Sequence, residues 1–250
     1  MSTLPTYVWA MVLAGLIGTV ATISVMLWRG ALTAGSGRGS ASRAAVAFAI
    51  LWGAWVLASV LLADAEVYRF EPTRLVPLLP VGLVCALTVA LLLTRLPVVA
   101  RILTEPDALW RLTVPQIFRV EGVTFLVAMA LGRLPAVFAL PAGLGDIAIG
   151  VEAVFVARNL RRGVGGRRVV WFNVLGLVDL VVALGIGFAA APAALRLLSV
   201  SPSTEAISLL PLALIPATVV PLAAALHLLS LQKLRTAEKN PIATLVGSTQ

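Results

Sequence analysis

The chain has 250 residues, of which 60% are hydrophobic and 12% charged, with a formal charge of +8 at pH 7. A soluble domain carries about 25% charged residues, and mean hydropathy here reaches +1.02. Composition therefore points away from a water-soluble fold and toward a single membrane domain. The basic residues fall between apolar runs, where they act as topology signals and headgroup contacts. No nucleic-acid surface is expected from them. With Cys85 as the one cysteine, an intramolecular disulfide and a thiolate metal site are both excluded.

Seven apolar runs have the ~20-residue length that a helix needs to cross ~30 Å of hydrocarbon. The first, Tyr7–Trp28, follows a start, Met1–Thr6, that lacks the basic segment of a secretory signal, so it reads as a retained span. The second is Ala44–Ala63, followed by an acidic connection, Asp64–Arg74, predicted to be a solvated outer loop. The third is Leu75–Thr94. After it, Leu96–Leu103 is predicted to lie along the cytoplasmic interface, ending before Glu105-Pro106-Asp107.

The fourth run, Val114–Leu131, contains Arg119 and Glu121, and the fifth, Leu134–Val156, contains Asp146 and Glu152. Pro141-Ala142-Gly143-Leu144-Gly145 is rich in helix breakers. It predicts either an unwound stretch before Asp146 or a helix that starts at Pro141. The sixth run, Val169–Ala191, contains Asn173 and Asp179. In the seventh, Ile207–Leu231, Pro211, Pro216 and Pro221 predict kinks. The expected architecture is an all-α, polytopic bundle over residues 1–231, with a short polar cytoplasmic tail at 232–250. The six tryptophans lie mostly toward span ends, as interfacial anchors would.

Basic residues set the orientation. Fourteen lie in alternate connections: Arg29, Arg38 and Arg43; Arg95, Arg101 and Arg111; the five between Arg158 and Arg168; and Lys233, Arg235 and Lys239. The opposite side holds four, Arg69, Arg74, Arg133 and Arg196. The positive-inside rule puts the fourteen in the cytoplasm, which places the N-terminus outside and the C-terminus inside. Only two of the nineteen basic residues are Lys, beside heavy Ala, Leu, Val and Gly use. That usage suggests a bacterial genome and hence a multi-pass protein of the bacterial plasma (inner) membrane.

Charge within the membrane is confined to the last four runs: Arg119, Glu121, Asp146, Glu152, Asp179 and His227, with Gln116 and Asn173 beside them. A charge in hydrocarbon costs about 2.5 kcal/mol or more, so such groups are buried and often functional. One Arg cannot neutralise four carboxylates. Either some carry protons or a cation joins them. Gly143-Leu144-Gly145-Asp146 and Gly176-Leu177-Val178-Asp179 both read Gly-Leu-x-Asp on adjacent antiparallel helices. That pattern predicts two aspartates at similar depth, with a small residue on the same face of each helix. Arg119 is their natural counter-ion. Glu152 is expected to reach the Arg158–Arg168 cluster at the interface, and His227 to lie near the cytoplasmic end of its span.

Pro115-Gln116 resembles the dipeptide of the PQ-loop and SWEET transporters, where it recurs in two triple-helix repeats; here it occurs once. The seventh run has no Lys for retinal, and one His cannot supply a zinc hydrolase site or a two-histidine haem. The sequence shows no serine-hydrolase, P-loop or GxGxxG pattern. Neither a cofactor nor enzymatic activity is expected. The leading expectation is a small-solute transporter or channel-like protein coupled to protons or a cation. Arg119, Asp146, Asp179, Gln116, Asn173 and His227 would form its site. The alternative is a non-transporting subunit that partners another membrane protein.

Overall fold

The computed structural model describes residues 4–70, 77–192 and 197–239. Among these, the regular elements are helices, without strands. Helices α1 (Thr6–Thr33) and α2 (Arg38–Asp64) form the first pair, packed on each other. The turn between them passes through Gly35 at φ +79°, a backbone that favours glycine.

Helix α3 (Leu78–Leu93) has 16 residues, about 24 Å, which is short of the hydrocarbon thickness. It meets α4 (Pro97–Thr104) at a bend of 76°. Proline explains the elbow. The residue before it, Leu96, is driven out of the helical region, to φ −62° and ψ 135°. The segment expected along the interface is thus a short helix turned sharply from α3.

Helix α5 (Ala108–Thr113), a 3-10 stretch (Val114–Gly122) and α6 (Val123–Ala130) form a fourth rod of 23 residues. Helix α7 (Ala136–Arg161) continues unbroken through Pro141, so the breaker-rich stretch neither unwinds before Asp146 nor starts the helix at Pro141. Pro141 falls only in the second turn, where its missing N–H frees a single carbonyl, that of the exposed first-turn residue Val137. Helix α8 (Arg167–Ala189) runs back antiparallel to it.

The seventh run departs most from expectation. It opens with a 3-10 turn (Glu205–Ser208), passes a cis peptide before Pro211, and becomes continuous only at a π-helical turn (Ile215–Val219) leading into α9 (Val220–Lys239). Pro221 has no N–H for the carbonyl of Ala217. The indole Nε1 of Trp55 donates to that oxygen instead, at 2.9 Å. Beyond Leu231 the helix continues to Lys239, so the start of the expected tail is helical; residues 240–250 lie outside those described.

Six helices, counting the α5–α6 rod and the rod from Ile215, are long and apolar enough to cross a membrane. The α3–α4 pair qualifies only if the two are counted as one bent span. This is the architecture of a multi-pass membrane protein. The rod from Ile215 is its centre, with 67% of its most apolar 18-residue stretch buried, against 17% for that of α2. Trp52 is an exception among the expected anchors, because it is buried in the bundle and stacked on Phe48. The loop after α2 is also partly folded in. Tyr68 and Phe70 are buried, and Arg69 bridges Glu66 at 2.7 Å and Glu205 at 3.0 Å. Glu71, Arg74 and Arg196 lie outside the described residues.

Candidate functional site

A 3-10 helix repeats every three residues, so side chains at i and i+3 eclipse. Between Val114 and Gly122 this aligns Gln116, Arg119 and Gly122 in one buried column, and Phe118 and Glu121 in a second. The first column faces α7, α8 and α9. The second faces α1, where Gly15 and Gly18 make room. A Cβ at Gly15 would overlap the Glu121 carboxyl, and one at Gly18 the Phe118 ring. Small residues three apart here let a bulky segment approach closely.

Arg119, 5% exposed, is the hub. Its Nε donates to Asp146 Oδ1 at 2.7 Å, and Nη2 donates to Asp179 Oδ2. Nη1 serves the carbonyl of Gly176 at 3.2 Å and His227 Nε2 at 3.1 Å. Because a guanidinium can only donate, Nε2 must accept and the imidazole proton sits on Nδ1. From there it is donated to Asn173 Oδ1 at 2.9 Å, while Asn173 Nδ2 donates to the carbonyl of Val169 at 2.8 Å. His227 is therefore neutral and fully buried, accepting on Nε2 and donating from Nδ1.

Both aspartates touch one guanidinium, so they lie at one level although α7 and α8 run in opposite directions. Each Gly-Leu-x-Asp repeat admits a different neighbour. Gly143 accepts the backbone of Gly122, and Gly176 accepts the ring of His227. Five of the six expected site residues meet in this way. The sixth, Gln116, stands one 3-10 turn from Arg119 and donates to the carbonyl of Ala223 at 2.9 Å; its Oε1 has no partner.

Glu152 is separate. Arg168 grips it with two bonds, at 2.6 and 2.9 Å, near the α7–α8 turn. That leaves Arg119 alone against Asp146, Asp179 and Glu121, whose two carboxyl oxygens are buried without partners. Cavities of about 20 and about 50 Å³ border Asp146. A water needs about 10–15 Å³ of such space, so they have room for one or a few. Among the described residues no three His, Cys, Asp or Glu side chains group as metal ligands.

One buried charge escaped the sequence reading. Arg111, expected in a cytoplasmic connection, is 4% exposed, with Nη2 bonded to Asp107 and Thr33 at 2.6 Å each. The Asp107–Arg111 spacing of four was the available signal. Its burial depends on α1 and α4, which no local pattern reveals.

The sequence model of a family described as a domain of unknown function (DUF8737) matches residues 76–235. The chain belongs to this family. The matched region runs from the start of α3 into α9, taking in every member of the Arg119 cluster as well as Arg111, and leaves α1 and α2 outside. No curated protein and no solved structure matches the chain.

Proposed function

We propose that this DUF8737 protein is a proton- or cation-coupled transporter or channel-like protein for a small solute, and not an enzyme. Its place would be the bacterial plasma membrane, with the N-terminus outside, the C-terminus in the cytoplasm and the α3–α4 elbow as the third of seven spans. The observation that carries this reading is one guanidinium shared by two aspartates from antiparallel helices, with the unpartnered Glu121 carboxyl close by. Arg119 meets the charge of only one carboxylate, so the group reaches neutrality by taking up protons or a cation. Asp146 and Asp179 are the coupling residues, and Arg119 either neutralises one of them or releases it to hold an anionic substrate group. With room for only a few waters, this conformation is closed, and a transport cycle would part the Arg119 contacts.

The small cavities and the well-satisfied guanidinium favour a second reading, a non-transporting subunit whose polar groups lock helices together. Proteoliposomes holding a pH-sensitive dye separate the two. Under imposed proton, sodium or potassium gradients and a panel of small solutes, the transporter gives flux that Asp179→Asn abolishes. Absence of flux from the wild type, with a membrane protein co-purifying at fixed stoichiometry, would establish the second reading. For orientation, Glu66→Cys and Arg162→Cys are each placed in a Cys85→Ser background. An impermeant thiol reagent applied to intact cells should label position 66 and not 162; the reverse pattern inverts the topology.

A further inference from the structure

A third cavity, of about 500 Å³, is lined by none of the Arg119 cluster and lies between α2 and the α3–α4 elbow, with α1, α5 and α9 closing its back. Its volume falls within the ~300–1,000 Å³ of small-molecule sites. The wall is almost wholly aliphatic, and among the described residues its charged members are Arg43 and Arg111. Helix α2 packs on α1 and makes no extensive contact with α3, so the cavity occupies an unfilled gap between them.

Arg111 is the second, independent observation. It is 4% exposed, and its Nε and Nη1 meet no acceptor. Asp107 and Thr33 engage only Nη2. A buried guanidinium with unmet donors is costly, and an oxyanion is the partner that its fork fits. The exposed Arg43 adds positive charge at the wall, and no lining residue is acidic.

We infer that this cavity binds an anionic lipid: an acyl chain fills the apolar space and the headgroup oxyanion accepts from Arg111, with Arg43 beside it. The inference does not depend on what the Arg119 cluster does. Aliphatic walls match an acyl chain, and the charge is complementary to its headgroup. A free anion would leave the apolar volume unfilled, and a neutral amphiphile would leave Arg111 unmet.

The test is equilibrium binding of radiolabelled oleate and oleyl alcohol to the full chain in detergent. The wild type should bind oleate about tenfold or more tightly than the alcohol, as one or more charge-assisted hydrogen bonds allow. Arg111→Gln should bring the two within about twofold. Ala47→Trp, which places a ring into the cavity from the exposed side of α2, should abolish binding of both. Inorganic phosphate should not displace oleate. Equal binding of the two probes by the wild type, unchanged oleate binding in Ala47→Trp, or displacement by phosphate would each overturn the assignment. Should Arg111→Gln fail to fold, the comparison of probes and the Ala47 variant still decide.

Discussion

The imidazole of His227 occupies the space where a side chain at Gly176 would begin, and this places Nε2 3.1 Å from Arg119 Nη1. Gly176→Ala should therefore press α8 away from α9 and cost about 1–3 kcal/mol, as overpacking does. His227→Ala opens that space while leaving Asn173 and Arg119 each short of a partner. Combined in one chain, the two changes should cost at least about 0.5 kcal/mol less than their sum. Thermal unfolding in detergent gives all three values, and strict additivity would show that the contact does not exist.

Removing the guanidinium should be more damaging than removing either aspartate. Arg119→Gln leaves two carboxylates with no cation, a change worth about 3–5 kcal/mol for a buried pair. Arg119→Lys keeps the charge yet lacks the fork that reaches Asp146, Asp179, Gly176 and His227 together, so it should recover less than half of the loss. Adding Asp146→Asn or Asp179→Asn to Arg119→Gln should raise the melting temperature. A further fall would mean that the aspartates are stabilised by something other than Arg119.

Glycines 18 and 53 make a matched pair on the first two helices. A Cβ at Gly18 would run into the Phe118 ring, whereas nothing lies within 4 Å of one at Gly53. Gly18→Val should separate α1 from the 3-10 segment and lower the melting temperature. Gly53→Val, on open surface, should stay within about 0.5 kcal/mol of the wild type. Equal effects at the two sites would contradict the close approach of α1 to Phe118.

Trp55 reaches from α2 to the one carbonyl that Pro221 leaves without its helical donor. Trp55→Phe keeps an aromatic ring and deletes the donor. The orphaned Ala217 carbonyl should cost about 1–3 kcal/mol. Since Pro221 creates the vacancy, Pro221→Ala in the same chain should return part of that loss. No loss in Trp55→Phe, measured by unfolding in detergent, would show that the π-turn satisfies itself.

Hydropathy is a local sum, and that is why the positions of most spans were readable from the residues alone. Tyr7–Trp28 and Ala44–Ala63 each fall within a long helix, and Val169–Ala191 overruns one by only two residues, since twenty apolar residues in lipid satisfy their backbone only by coiling. The Gly-Leu-x-Asp repeat also carried real information, because Gly and Asp three apart must share a face. The breaker-rich stretch around Pro141 misled for the opposite reason. Proline propensity is weak where only one first-turn carbonyl is freed, and packing against the 3-10 segment keeps the helix intact.

Partnership is not local. Asp146 and Asp179 lie 27 and 60 residues from Arg119, and His227 lies 108 away. Which of them meet depends on how each helix is rotated about its axis, and those rotations are set by glycine contacts at 15, 18, 122, 143 and 176. The same holds for Arg111, whose charge looked like a loop signal until α1 and α4 closed over it. Residue chemistry thus identified the groups that lipid would not tolerate. Only helix against helix decided their partners, because a buried charge takes its meaning from the few ångströms around it.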